Sequence, residues 1–332
     1  MIRRMNRFLF ALLYISGIVR LFRFAHRNTL TILLYHGVAE RRNRGIYNYR
    51  GKFIEPAHFA RQMSYFSRHY AILELDKAIG MMRAGTLPKY PLAITFDDGY
   101  RNFYTHAFPI LKKMRIPATM FIAADFVSER KPLWVDRLEY AIGNQAGGRA
   151  EKIARDKKIR DELKKLPDDE KEKLLQEIER VSSSIFSDFD GDRVVYAPLS
   201  KSEILEMKGA SIKFGAHTKS HPILSKLSPA RLGDEVRGSK EALKDICGGI
   251  SDVFAYPNGQ PGDWNEATES AVSNAGFSFA LTTVEGVNGK DAHSFRLKRM
   301  TMDGTGAGAA FAAVAAGVRL FLSKIKHLYD AA

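Results

Sequence analysis

The chain has 332 residues, 45% of them hydrophobic, and a formal charge of +14 from 51 Lys plus Arg against 37 Asp plus Glu. That length and apolar content suffice for a large packed core and exclude a disordered chain. The single Cys247 excludes an internal disulfide framework and a thiolate cluster, so a metal here must be held by His and carboxylate.

The first 28 residues, "MIRRMNRFLFALLYISGIVRLFRFAHRN", contain Arg3, Arg4, Arg7, Arg20, Arg23 and Arg27 and no acidic side chain. The uninterrupted apolar run, Phe8 to Val19, is too short to span a bilayer comfortably, and no small-residue cleavage site follows it. The segment reads as an uncleaved basic amphipathic stretch lying on an anionic membrane surface. A helix packed on the domain and a signal anchor are the alternatives. The expected location is cytoplasmic and peripheral to the membrane, the alternative being signal-anchored and extracytoplasmic.

Residues 29–38, "TLTILLYHGV", read as a buried strand, 56–70 as an amphipathic helix and 71–75 as a short strand. "PLAITF" (91–96) is a continuous apolar strand, "YTHAFPILKKMRI" a helix and "ATMFIAADF" (118–126) the next strand. This alternation predicts an α/β fold with a parallel sheet or barrel. Residues 149–183 break the rhythm with charge-laced helical sequence of mixed sign, which reads as a solvated insertion within about 140–208 and carries no catalytic role. Further strands are expected at 210–217, 252–259, 277–283 and 294–302, with helices near 228–246 and 265–275. The region 306–332 reads as a C-terminal helix with a basic face.

Two chemically loaded stretches sit at the ends of predicted strands: Asp97-Asp98-Gly99 in "TFDDGY", and His217 to His221 in "HTKSH". In parallel α/β folds the loops after the strands form the active face, so separate strands can bring both stretches together. Two histidines four apart plus one carboxylate can hold a metal with an open position for water. Adjacent buried carboxylates are costly unless one binds a cation and the other works as a base. Either stretch alone is weak: a four-apart pair arises readily by chance among nine histidines, and an acidic turn is common.

Together, "TFDDGY" and "HTKSHP" resemble the first two motifs of the polysaccharide deacetylases with a NodB homology domain, over about Leu33 to Met302. The resemblance implies a distorted (β/α) barrel of about seven parallel strands, spanning 29–305, and metal-dependent removal of acetyl groups from a glycan or lipid-linked saccharide, N-acetyl being favoured. It implies Asp97 as general base and Asp98, His217 and His221 as ligands of a divalent metal, Zn first, with Co, Ni or Mn as alternatives. The stretch "LLYHGV" resembles the early Tyr-His segment of exopolysaccharide and poly-N-acetylglucosamine deacetylases, which implies His36 as general acid.

The third motif departs from the family's Arg-x-Pro-Tyr pattern. The matching stretch is "FAYPNG", with Ala255 at the arginine's place and Asn258 at the tyrosine's; Asn258 and Pro257 remain candidates for holding the oxyanion and substrate, with Tyr100 shaping the pocket. Arg296 and Arg299 on the last strand are candidate replacements for the arginine that orients the base. Asp136, Trp134 and Tyr140 are candidates for lining a glycan groove, with helical core packing an equal reading. The alternative function is a noncatalytic glycan-binding or polysaccharide-assembly protein that keeps the metal site. No nucleic acid is expected as a partner, because no basic face with interleaved aromatics is present.

Overall fold

The computed structural model describes residues 12–40, 45–182, 193–302 and 309–323. The remainder of the expected N-terminal segment, insertion and C-terminal helix lies outside these residues. In chain order the strands are β1 (Thr31–Tyr35), β2 (Gly37–Val38), β3 (Phe53–Ile54), β4 (Ala71–Ile72), β5 (Pro91–Phe96), β6 (Ala118–Ile122), β7 (Ile212–Ala216), β8 (Val253–Ala255), β9 (Phe279–Leu281) and β10 (Met300–Thr301).

The main sheet runs β10-β1-β5-β6-β7-β8-β9, with β4 pairing the start of β5. Every pair in it is parallel. The seven strands curl through 245° into a half-barrel, the distorted (β/α) barrel expected from the sequence. All six residues of β5 are buried, because a parallel strand is covered on both faces. Alternation then decides which face each side chain meets. Ile32, Ala93, Phe121, Val253, Ala255 and Leu281 gather with Leu75, Ala78, Ile79 and Met82 of the Leu75–Ala84 helix. Their neighbours Leu33, Ile94, Met120, Phe214 and Phe254 join the larger cluster, which includes Phe59, Met63 and Phe66 of the Pro56–His69 helix. Gly215 sits opposite Phe121, where a Cβ would come within 2.5 Å of the ring, so only glycine fits.

Several boundaries differ from the sequence reading. The run 118–126 ends as strand at Ile122 and turns into the Ala124–Ser128 helix. The run 71–75 keeps only two strand residues before the next helix starts. The helix after the Asp-Asp-Gly turn opens with a π-helical stretch, Phe103–Ala107, just ahead of Pro109. Proline has no N–H to bond back into the preceding turn, which accounts for a changed hydrogen-bond register there. Residues 294–299 do not pair as strand. They hug β9 through hydrogen bonds between Leu297 N and Ala280 O and between Thr282 N and Leu297 O, at 3.0 and 2.8 Å.

Beside the barrel, helices Arg149–Leu163 and Asp168–Val181 pack on the Trp134–Asn144 helix. Trp134, Leu138, Ile142, Leu163 and Leu175 form a local core. Charged residues knit it further: Arg160 pairs with buried Asp156 at 2.9 Å, and Arg137 reaches both Glu172 and Glu179.

Candidate active site

β5 delivers Asp97 and Asp98 to the C-terminal end of the sheet. Asp97 N still bonds Tyr35 O of β1 at 2.9 Å, and then the backbone reverses, with φ of +81° at Asp98 and +98° at Gly99. Aspartate tolerates the left-handed region better than most residues, and glycine adopts it freely. The reversal gives the two adjacent carboxylates different partners.

Asp97 is 2% exposed and is gripped by Arg299, which is 0% exposed. The guanidinium donates Nη1 to Oδ1 and Nη2 to Oδ2, both at 2.7 Å, while its Nε donates to Thr282 O at 2.9 Å. The paired fork-to-carboxylate geometry fixes the orientation of Asp97. Arg296, by contrast, bonds Glu269 at 2.6 Å and lies over the Trp264 ring. Of the two candidate replacements for the missing third-motif arginine, Arg299 is the one that reaches Asp97.

Asp98 meets the histidines. Its Oδ1 lies 3.5 Å from His217 Nε2 and 3.3 Å from His221 Nε2. His217 directly follows β7, and its Nδ1 lies 2.6 Å from Ala255 O. Protonation at Nδ1 leaves the Nε2 lone pair turned to the centre. The loop to His221 reverses through Thr218 and His221, both at positive φ, with His221 N donating to Thr218 Oγ1 at 3.0 Å. Glu235, on the Pro229–Cys247 helix, secures the loop by accepting from Lys219 N and Ser220 N at 2.9 Å each and from Ser220 Oγ at 2.6 Å.

These groups perturb one another. Burial alone pushes the Asp98 carboxyl up, but hydrogen bonding to His217 and His221, aided by the charge of His36, holds it well below the usual carboxylate range. Burial pulls His217 down, and Asp97 and Asp98 with the Ala255 carbonyl more than reverse that, leaving it raised. His221 stays lowered by burial, with Asp98 opposing only in part. His36, just past β1, faces the same centre: burial lowers it, Asp98 and Asp97 pull it up, and Lys52 and Arg299 push it down.

Asp98, His217 and His221 offer one ligand atom each, all within 4.8 Å of one another and all buried. A tetrahedral shell with bonds near 2.0–2.1 Å separates its ligand atoms by about 3.3–3.4 Å. The observed 3.3 and 3.5 Å match that spacing, so the donor set fits a divalent metal.

Around this centre, Tyr100 is fully buried. Its hydroxyl donates to Asp136 Oδ2 at 2.5 Å and accepts from Lys52 Nζ at 2.7 Å. Burial, with Asp136 and Asp98, drives its pKa well above the ordinary value, so the phenol stays protonated. Lys52 also pairs with Asp136 and lies 4.5 Å from the Tyr100 ring centroid. Tyr100, Asp136 and Lys52 therefore form one hydrogen-bonded group next to the Asp-Asp-Gly turn. Trp134 is buried among the insertion helices, with Arg160 and Lys171 over its ring, which places it in a packing role. Pro257 is buried and Asn258 half-buried. Asn258 sits at φ +57° with its carbonyl accepting from Thr283 Oγ1 at 2.5 Å, and its side-chain amide nitrogen is buried without a hydrogen-bond partner. His293 is half-exposed near Glu269, at 3.8 Å. Arg299 was only one of two sequence candidates, and Lys52 and Glu235 were missed; no local pattern marks either of the latter.

A parallel half-barrel with a carboxylate pair and two histidines at its C-terminal rim defines a hydrolase-type site. The polysaccharide deacetylase family matches residues 84–280, and the chain belongs to that family. YxkH of Bacillus subtilis, classed with the polysaccharide deacetylases, is 24% identical over 220 residues, 66% of this chain and 54% of that protein. The poly-beta-1,6-N-acetyl-D-glucosamine N-deacetylase of Staphylococcus aureus is 36% identical over 77 residues, 23% of this chain and 27% of that protein. These matches thus span about half, and about a quarter, of the lengths of the two relatives. The structure of the Streptococcus pyogenes deacetylase PplD in complex with acetate superposes with a TM-score of 0.60 at 19% identity, covering 87% of this chain and 99% of that one. That likeness concerns the fold.

Proposed function

We propose that this protein is a metal-dependent deacetylase that hydrolyses N-acetyl groups on a glycan or lipid-linked saccharide. The observation that carries this reading is the division of labour at the paired aspartates: Asp97 is held by Arg299, and Asp98 joins His217 and His221. Similarity to a poly-N-acetylglucosamine deacetylase supports an acetylated amino sugar as substrate. The noncatalytic alternative drew on the absence of an arginine at position 255, and the Arg299 contact removes that motive.

Asp98, His217 and His221 would hold the metal, zinc being favoured for two imidazoles and a carboxylate. When bound, such an ion polarises a carbonyl and lowers the pKa of a water toward neutrality. Asp97 takes a proton from the attacking water as its oxygen bonds to the acetyl carbon. Arg299 keeps that carboxylate aimed, so the proton has a defined destination. The backbone N–H of Asn258, with Pro257 shaping the turn, would donate to the developing oxyanion, an interaction worth a few kcal/mol when well placed. His36, in its protonated form, then gives that proton to the amide nitrogen as the carbon–nitrogen bond breaks, releasing acetate and a free amine, and its lowered pKa makes the imidazolium a stronger acid. Tyr100, Lys52 and Asp136 form a bonded group close enough for the Lys52 charge to act on His36.

The test is acetate release from an N-acetylglucosamine oligomer by metal-stripped and zinc-reloaded protein, with Asp97→Asn alongside. Release that needs metal and is lost in the variant supports the reading. Zinc binding without release from any acetylated glycan favours the noncatalytic one.

A further inference from the structure

Eight large apolar side chains stand exposed among the described residues, and six of them belong to the chain ends: Leu12, Tyr14, Ile15, Leu21, Phe24 and Phe321. Ile15 is 81% exposed, Leu12 and Leu21 64% each. Exposed apolar side chains this concentrated in the chain call for a partner. The helix Ile18–Ala25 begins after Gly17, at φ +82°, and buries Val19. Phe22 packs on Phe321, with ring centroids 5.2 Å apart. Leu21 and Phe24 project from the opposite face, and 100° per residue places Arg20 beside Phe24 there. The Arg27 guanidinium lies over the Phe24 ring at 4.0 Å. No acidic residue precedes Glu40 in the sequence, whereas Arg3, Arg4, Arg7, Arg20, Arg23 and Arg27 do. Apolar side chains flanked by unbalanced arginines match an anionic interface in both respects. No described helix is long and apolar enough to cross a membrane.

We infer that the helix face formed by Leu21 and Phe24, edged by Arg20 and Arg27 and preceded in the chain by exposed Leu12 and Ile15, docks on the face of an anionic lipid bilayer. The fold sets its orientation. Arg23 lies over the rings of Tyr70 and Tyr90, 5.9 and 5.2 Å from their centroids, and those residues directly precede β4 and β5. His26 Nδ1 lies 3.0 Å from Ala316 O, which ties the helix to the C-terminal segment. The docking surface is therefore at the N-terminal end of the strands, and Asp97, Asp98 and His217 follow their C-terminal ends. Docking leaves the rim that carries Asp97, Asp98 and His217 on the side away from the bilayer. This inference is independent of the chemistry proposed above.

The test is co-sedimentation of the full chain with vesicles of phosphatidylcholine alone and of phosphatidylcholine with about one-third phosphatidylglycerol. The anionic vesicles should bind the protein at least about tenfold better, and about 0.5 M salt should reduce that preference. Leu21→Ser with Phe24→Ser should lower binding to them by about tenfold or more. Arg20→Gln with Arg27→Gln should reduce the anionic preference. Equal binding of wild type and the Leu21/Phe24 variant, or no binding to either vesicle, overturns the inference. A dimer in sedimentation velocity that is abolished by the same variant would assign the surface to a second copy and overturn it too. Acetate release from a soluble oligomer should be unchanged in all these variants, which separates this surface from the active site.

Discussion

Replacing Arg299 by Met should destabilise the protein far more than a typical point substitution. Arg299 and the Asp97 carboxylate are 0% and 2% exposed and joined by two bonds of 2.7 Å, so removing the guanidinium strands a buried charge. Breaking a buried pair in this way costs about 3–5 kcal/mol. At about 2.1 cal/mol/K of unfolding entropy per residue, a 332-residue chain shifts by about 1.4 °C per kcal/mol, so the melting temperature should fall by roughly 4–7 °C. Asp97→Asn alone leaves the arginine without its ionic partner, and Arg299→Met with Asp97→Asn removes both charges. The double variant should regain much of the loss, giving a coupling energy of about 2 kcal/mol or more in a urea or thermal double-mutant cycle. All three variants should lose acetate release. Additivity within about 0.5 kcal/mol would refute the idea that the two side chains act as a unit.

His36→Ala should reduce amide hydrolysis by about 10²–10⁴-fold and spare an acetate ester, whose alkoxide leaves with less proton assistance; equal losses on both substrates would remove His36 from the acid role. Glu235→Ala, a change at a residue that touches no ligand atom, should weaken zinc affinity by about 10–100-fold in calorimetry, because it frees the loop between His217 and His221. Unaltered affinity would show that the loop holds its shape without Glu235. In metal-free protein, Asp98 has a depressed pKa, so its stabilisation exists above its ordinary value and disappears as pH falls through the folded one. His217 has a raised pKa, so its stabilisation is complete below about 6.5 and is lost as pH rises through the folded value. The stability difference between wild type and Asp98→Asn should therefore peak between about pH 4 and 6.5, and a flat profile in urea denaturation would contradict it.

Much of the site was legible because its chemistry sits in short local patterns. Asp97-Asp98-Gly99 follows an unbroken apolar strand, and His217 and His221 follow another, so strand order alone brings them to one rim. Arg299 was harder to place, since it lies 202 residues from Asp97 and only the pairing of β1 with both β5 and β10 brings the two together. Position 255, an alanine where the family pattern has arginine, offers only its backbone carbonyl to His217, so the contact to Asp97 comes from Arg299. Lys52 pairs with Asp136 across the space between β3 and the Trp134–Asn144 helix, and neither residue has a local pattern that signals the other. The alternation of apolar segments made the barrel readable, whereas strand ends shifted where helices started early and overrode the apolar run.

The most direct test of the central claim is acetate release measured against zinc occupancy on one preparation. Protein stripped of metal, then titrated with zinc, should release acetate from an N-acetylglucosamine oligomer in proportion to bound zinc up to one equivalent, and Asp97→Asn should bind the same zinc while releasing none. Full zinc occupancy with no acetate from any acetylated glycan, or undiminished release by Asp97→Asn, would contradict the account.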